Sequence, residues 1–526
     1  MVASPPAPPV NPPAIASAAA LELTLDAKAI PRLRRHPLLA ALTQGRPRRT
    51  RERAVYFDTP DLALARAELT LCVRRVGRMA VQTVSRLRTA SAAEPAPVDT
   101  VLASDAPDLA RIPDPELRAR VADCVAGRPL VPAFEVELAR ETRLLREDGN
   151  EIGFALEAGE VRTARGPVPV CTLALTTRAG DPGYPEQFAL ELLEAFPLRP
   201  AAARPAERAC ELLLGGGARP RKARAVEIAP DATLEDLLVA VISGCLRQIA
   251  DNEAAAALGA DPEGVHQLRV GVRRLRSALS FFAPVLPERQ RTAFRESLSW
   301  LGRALGPARD FDVFASEWLV PAIGARPADA VLARFEEEVR AQSAACYEQV
   351  RDALQSDRYP RLLLEVRRWL ARGEWREQPL SATSASLFLP ARDYAAMRLE
   401  RRHRKARKLA RRVAAGAPEL RHLLRIQLKK LRYAAEFAQG LFPARKAQRY
   451  ARQLAALQDA LGVANDALVA ERIAGEVAGR LGAGPDPLRA AGFLTGWAAH
   501  AADREIAALP KLWERFENVG RFWPKR

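Results

Sequence analysis

His266-Gln-Leu-Arg-Val-Gly-Val-Arg-Arg-Leu-Arg276 and His422-Leu-Leu-Arg-Ile-Gln-Leu-Lys-Lys-Leu-Arg432 are two copies of one phrase, 156 residues apart. The same offset, without a gap, carries Leu298, Leu301, Leu305, Gly306 and Asp310 onto Leu454, Leu457, Leu461, Gly462 and Asp466. Self-similarity at one spacing over several elements marks an internal duplication. Each half reads as a helix bearing histidine and basic residues, then a second helix that ends in Leu-Gly and an acidic turn. Arg309, Asp310, Asn465 and Asp466 are expected to cap or brace the bundle rather than to touch a ligand.

On a helical wheel at about 100° per residue, His266, Arg269, Arg273 and Arg276 fall within an arc of about 80°. Leu268, Val272, Leu275, Leu279 and Phe282 form an adjacent apolar face suited to a bundle. The second copy repeats the geometry, with His422, Arg425, Lys429 and Arg432 in front and Leu424, Leu428 and Leu431 behind. Arg398, Arg401, Lys405, Lys408 and Arg412 make a third stripe of about the same width. Between Arg398 and Arg432 stand fourteen Lys and Arg against Glu400 and Glu419. Like charges on one helix face repel by ~0.2–0.5 kcal/mol per pair, so an anionic ligand is the expected counterweight. One basic run is most often a solvated helix face; three stripes, two of them duplicated with the histidine in register, favour a ligand. The candidate binding residues are these stripes, with Arg274 and Lys430 beside them and Arg401, Lys405, Lys408 and Arg412 from the third.

Outward from these helices, 526 residues exceed one hydrophobic core and imply more than one domain. Hydrophobic residues make up 48% and charged residues 27%, and no apolar run is long enough to cross a bilayer, so a soluble chain is expected. The net charge of +17 is uneven. Residues 1–225 hold 32 Lys and Arg against 27 acids, and the remainder 48 against 36, which puts most of the excess beside the basic stripes. The six cysteines, Cys72, Cys124, Cys171, Cys210, Cys245 and Cys346, include no CxxC pair, so neither a zinc site nor a disulfide framework is suggested and a reducing cytoplasm is the expected setting.

Residues 1–19, rich in proline and alanine, lack a secretory signal pattern and read as a disordered tail. The Gly215–Gly217 run opens a linker to residue 231. Before it lies a domain over residues 20–214 with strands at Ala54–Phe57, Leu69–Arg75, Ala80–Val84, Phe134–Leu138 and Val168–Leu175. After it, residues 232–526 are helical, in halves of about 232–372 and 391–526. The fold class is therefore α+β multidomain.

The pattern HxLRVxxRRLRxxL, then LGxxRDxDV, HxLRIxxKKLRYxxEF and LGxxND, from about Thr233 to Trp523, resembles the conserved histidine α-helical domain, CHAD. That resemblance implies two pseudo-symmetric four-helix bundles with a basic groove that binds inorganic polyphosphate. Val55-Tyr-Phe-Asp-Thr-Pro-Asp-Leu62, Leu69-Thr-Leu-Cys-Val-Arg-Arg75 and Val81-Gln-Thr-Val84, with Asp181-Pro182, Leu190-Glu-Leu192 and Leu198-Arg-Pro200, resemble the CYTH family of triphosphate tunnel enzymes. That resemblance implies a closed antiparallel barrel whose inward basic residues hold a triphosphate and whose inward glutamates hold Mg²⁺ or Mn²⁺.

The ExExK signature of that family is missing: one register gives Glu22, Thr24 and Asp26, the other Ala18, Ala20 and Glu22. Thr172, Ala174 and Thr176 replace late carboxylates, and Cys72, Ser85 and Pro205 stand where the family has basic residues. Hard divalent cations need oxygen ligands, usually carboxylates, so no metal or other cofactor is expected. Arg74, Arg75, Arg140 and Arg208 remain as residual phosphate contacts; Glu135 and Glu137 are alternate strand residues that read as solvent-facing. The expected function is polyphosphate binding by the helical domain without catalysis, on polyphosphate or other storage granules. Metal-dependent inorganic triphosphatase activity is the alternative. General polyanion or nucleic-acid binding is a third, weakened because only Tyr433 accompanies the stripes as an aromatic.

Overall fold

Alternating strands and helical stripes lead to two separate architectures. The structure, a computed structural model, describes residues 20–524 except 78, 88–96, 202–203, 216–217, 380, 415–417 and 483. The tail over 1–19 and part of the glycine run thus lie outside the described residues. The chain divides into two compact units, one reaching to Gly217 and counting residues 367–372 with it, the other comprising the rest from Ala218 onward.

In the first unit nine strands form one antiparallel sheet: β1 (Leu21–Thr24), β2 (Thr43–Asp58), β3 (Leu69–Val76), β4 (Met79–Arg86), β5 (Val98–Leu102), β6 (Val131–Glu147), β7 (Asn150–Thr163), β8 (Gly166–Ala179) and β9 (Arg199–Pro200). The order is β5-β4-β3-β2-β6-β7-β8-β1-β9. The five strands expected from periodicity lie inside β2, β3, β4, β6 and β8, all longer than their apolar cores suggest. Their extensions are rich in arginine and glutamate, which cross-strand pairing accommodates: β2 pairs with β6 from Thr43 opposite Leu145 to Asp58 opposite Val131. Asp58 ends β2 by accepting hydrogen bonds from the backbone N–H groups of Thr59, Leu64 and Ala65, which explains the Asp-Thr-Pro turn.

The closed barrel is corrected to an open sheet: no pairing joins β5 to β9 among the described residues. β9 is only two residues long and ends in Pro200, which has no N–H to offer a further strand. The chain then enters helix α2 (Pro205–Leu213), which packs Ala209 and Cys210 against Phe134, Val136, Val161 and Val170. On the other face, helix α1 (Pro115–Val125) sets Leu117, Val121 and Val125 against Leu69, Leu71 and Val84.

The second unit is helical. Residues 218–229 are neither helix nor strand, and Asn252, fully buried, holds Arg221 by accepting from its N–H at 2.7 Å and donating to its carbonyl at 2.9 Å. Then follow α3 (Leu234–Leu258), α4 (Pro262–Phe281), α5 (Glu288–Ala304), α6 (Gly306–Val313), α7 (Ala330–Gln355), α8 (Arg358–Arg372), α9 (Ala391–Ala414), α10 (Arg421–Ala438), α11 (Ala444–Arg480) and α12 (Pro485–Val519). Shifted by 156 residues, α3, α4, α5 with α6, and α7 fall on α9, α10, α11 and α12. The duplication read from two motifs therefore extends to every main helix of the first half before α8.

The acidic turn after Leu-Gly is corrected. Leu305 keeps helical dihedrals, φ −81° and ψ −17°, at the bend between α5 and α6, and α11 runs through Gly462 without a break. A glycine costs a helix ~1 kcal/mol. Burial of Leu457, Leu461, Ala467 and Ala470 along α11 exceeds that cost.

Helices α3 and α4 approach closely enough to require glycine. A Cβ on Gly264 would stand 2.7 Å from the Ala255 carbonyl carbon, and one on Gly271 would stand 2.9 Å from an Ile249 side-chain carbon. Backbone cannot yield as a side chain can. Gly264→Ala is therefore expected to destabilise the helical unit by about 2 kcal/mol despite alanine's higher helix propensity, lowering its melting temperature by on the order of 5 °C. An unchanged or raised melting temperature in calorimetry would show that the helices part freely.

Candidate functional site

Helix α4 starts at Pro262, with the Asp261 side chain accepting from the Glu263 N–H at 2.8 Å. Its buried stripe of Val265, Leu268, Val272, Leu275 and Leu279, and that of Leu424, Leu428 and Leu431 on α10, enter the core. With their apolar backs inside, both helices turn basic fronts to the same groove. Arg273 Nε donates to the Tyr433 hydroxyl at 2.6 Å across the two copies, its guanidinium 5.8 Å from the ring centroid.

The walls of the groove come from α6 and α11. Arg425 donates to the Asn465 side-chain oxygen at 3.0 Å and lies 3.8 Å from the Asp466 carboxylate. Arg472 reaches Asp310 at 3.4 Å. Arg269 donates to the Gly302 carbonyl at 3.4 Å, and a Cβ on Gly306 would come within 3.0 Å of its guanidinium, so this glycine leaves the arginine room. Asp310, Asn465 and Asp466 thus brace the basic residues and cap no helix.

The electrostatics follow from crowding. Burial, then the neighbouring Arg273 and Arg425, push the Lys429 ammonium down to about 7. Burial, then Arg309, push His266 down to about 4. Burial also lowers Arg269 and Arg425, with Asp310 and Asp466 respectively opposing it. Asp310 is itself raised by burial against the pull of Arg269 and Arg472. Positive charge here is held partly out of water with too few carboxylates to neutralise it, and an oxyanion is the kind of group such a site stabilises.

The groove brings together His266, Arg269, Arg273, Arg425 and Lys429. Other candidates go elsewhere. Arg274 is only 5% exposed, donates to the Gln248 side-chain oxygen at 2.8 Å and lies 3.7 Å from Glu436, so it is a core group and not a ligand contact. The same wheel places it about 80° from His266, on the side facing α3. Arg276 joins Arg295, Arg303 and Arg358 in a separate hollow of about 350 Å³. Arg432 donates to Glu436 at 2.8 Å. His422 is exposed at the start of α10, unlike its half-buried counterpart His266. Arg401, Lys405 and Lys430 line another cavity, while Lys408 and Arg412 are exposed farther along α9. Missed by the stripes were Arg309 and Arg472; Arg309 stands in the repeated Leu-Gly segment, but nothing in the wheel marks Arg472.

On the sheet, strand register sorts the tunnel candidates. Arg74 pairs across from Ala54, and Arg140 from Thr50 and Glu157, on the face that also carries Glu22, Thr24, Thr172, Ala174 and Cys72. Arg75 has the opposite face by strand alternation and pairs with Asp105. Arg208 is exposed on α2, whose Ala209 and Cys210 face the sheet. Both are corrected from tunnel contacts to surface groups. The two that stay on the inner face are neutralised, Arg74 by Asp99 at 2.7 Å and Arg140 by Glu157 at 2.7 Å. Glu135 and Glu137 lie on the outer face with Arg53 and Arg162.

Comparison with known proteins agrees with this division. The CHAD domain model matches residues 240–474 and the CYTH domain model residues 23–206. The crystal structure of the CHAD domain from the plant Ricinus communis is similar over 59% of this chain and 100% of its own, at 33% identity and a TM-score of 0.50. PptA from Streptomyces chartreusis matches 54% of this chain and 100% of its own, at 16% identity and a TM-score of 0.42. A putative adenylate cyclase from Bacillus halodurans matches 35% of this chain and 91% of its own, at 15% identity and a TM-score of 0.21.

The depressed Lys429 gives the groove's expected affinity for anions a pH dependence that can be measured. A bound anion draws the lysine back to its charged form, so binding takes up a proton above pH 7 and affinity falls as pH rises from 6 to 9, by at most about tenfold per unit. Lys429→Arg stays charged across this range and is expected to flatten the profile while retaining binding. Calorimetry in buffers of different ionisation heat measures the proton uptake; a wild-type profile as flat as the variant's would refute the assignment.

Proposed function

For a chain that belongs to the CHAD family and carries a CYTH domain ahead of it, we propose binding of inorganic polyphosphate in the groove between α4 and α10, without catalysis. The observation that carries this reading is the convergence of Arg269, Arg273, Arg425 and Lys429 from the two copies, with Lys429 lowered to about 7 by burial and by its neighbours. A linear polyanion offers closely spaced oxyanions to cations arranged along a groove, and each contact releases counterions from the polymer. Granules of polyphosphate or of other stored polymer are the proposed setting, and no described helix is long and apolar enough to cross a membrane.

Tripolyphosphate hydrolysis on the sheet is the weaker reading. Its inner face is covered in part by α2, and Arg74 and Arg140 already have carboxylate partners. Nucleic-acid binding is weaker too, because Tyr433 is buried and engaged with Arg273 and so offers no ring for stacking a base.

Full-length protein titrated with long-chain polyphosphate at low salt is expected to bind, with a slope of log affinity against log salt of about −3 if all four cations engage. Arg273→Glu with Lys429→Glu is expected to weaken binding at least about 100-fold at an unchanged melting temperature. Failure of the wild-type chain to bind, or binding by the folded double variant at wild-type strength, would end this reading. Single-stranded DNA of equal charge is expected to displace polyphosphate poorly; equal displacement would favour a general polyanion site.

A further inference from the structure

Lys429 and Lys430 are successive residues on α10, about 100° apart, and they serve different sites. Lys429 belongs to the groove. Lys430 faces a cavity of about 390 Å³ between the end of α4, α9 and α10. Its other cations are Arg398, Arg401, Arg402 and Lys405, all from α9, and among the described residues no carboxylate lines it. The groove, by contrast, contains Asp310 and Asp466.

Two of these guanidiniums are buried, Arg398 at 9% and Arg402 at 7% exposure. Their hydrogen-bond partners are neutral: Arg398 donates to the Ser280 carbonyl at 2.8 Å, and Arg402 to the Lys430 carbonyl and weakly to the Ser280 hydroxyl. Arg398 Nε is buried without a hydrogen-bond partner. Burial, then Arg398, lowers Arg402 to about 10, and burial with Arg402, Lys405 and Arg276 lowers Lys430. Buried charge without a counterion is costly, and Arg398 and Arg402 bear that cost with the half-buried Lys430 beside them.

The duplication shows that the fold does not require them. The residues 156 positions before Arg398, Arg401, Arg402 and Lys405 are Ile242, Cys245, Leu246 and Ile249, all buried in the core of the first half. The counterpart of Lys430 is Arg274, which is closed in against Gln248 and Glu436. An apolar helix face in one copy has become a cationic cavity in the other. Packing does not explain that change, since hydrophobic residues in the same framework serve the bundle.

We propose that this cavity is a second anion site, distinct from the groove, that takes a compact oligophosphate of tripolyphosphate size. Ala283 and Pro284 line it beside the cations, and its volume of about 390 Å³ suits a short molecule or a chain end, whereas the groove suits a continuing polymer. The assignment rests on the phosphate reading of the helical unit and adds to it a site with its own residues.

The test is calorimetric titration of the full chain with tripolyphosphate. Arg401 and Lys405 are exposed, so Arg401→Ala with Lys405→Ala leaves the fold intact, which an unchanged melting temperature verifies. That variant is expected to lose at least about tenfold in tripolyphosphate affinity, while Arg273→Ala with Lys429→Ala stays within about threefold of wild type. A parallel loss for long-chain polyphosphate would identify the occupant as a chain end, and its absence a free oligophosphate; both keep the site. Tripolyphosphate that does not bind, that binds the cavity variant normally, or that is lost with the groove variant overturns the proposal. Tripolyphosphate held through the cavity by a protein that ignores long-chain polyphosphate would end the groove reading and leave this one standing.

Discussion

Two copies of one amphipathic helix, packed with their apolar backs in a common core, must bring their basic fronts close together. That like-charge convergence is the constraint on which the helical unit is organised. Arg269 and Arg273 meet Arg425 and Lys429 at partial burial, where repulsion is screened less than at a free surface. The surrounding structure limits the cost without removing it. Asp310 and Asp466 approach from α6 and α11, Asn465 and Tyr433 supply neutral hydrogen-bond partners, and Gly306 leaves space for the Arg269 guanidinium. The remaining excess of charge is what makes the groove suited to an anion.

Duplication also provides an internal control that a single bundle would lack. Arg269 and Arg425, and Arg273 and Lys429, keep their basic character in both copies and meet in the groove, whereas Arg276 and Arg432 keep theirs and lie elsewhere. Where the copies diverge, packing and ligand chemistry can be separated. Arg274 is satisfied inside the first half by Gln248 and Glu436, whereas its counterpart Lys430 opens onto a cavity of cations. Helix α3 is apolar where α9 is basic. The sheet differs: beside the paired Arg74 and Arg140 its inner face carries Thr172, Ala174, Val136 and Phe134, and α2 adds Ala209 and Cys210 to them.

Much of the helical unit was legible because its signals are local. A repeat, a wheel of about 100° per residue and an apolar face need only neighbouring residues to be read. The five strand cores were legible for the same reason, by alternation. The strand ends were not, since Arg48, Arg51 and Arg140 have no strand signature of their own and are held by the register of β2 on β6. Arg75 and Arg208 were misplaced because a list of basic residues ignores the face each takes: Arg75 follows Arg74 on a strand and must point the other way, and Arg208 precedes the two residues that face the sheet.

What the sequence by itself determined is the duplication, the helical class of the second unit, its basic stripes and the loss of the acidic signature in the first. Tertiary structure alone decided which cations face one another. A wheel fixes directions around one axis but not what lies opposite, so Arg472, forty residues beyond Arg432, the nearest stripe member, reaches Asp310 unannounced. Arg274 withdraws into the core and Lys430 turns away from Lys429 into its own cavity. The physical reason is the same throughout: charge acts through space, and only packing determines the distances over which it acts.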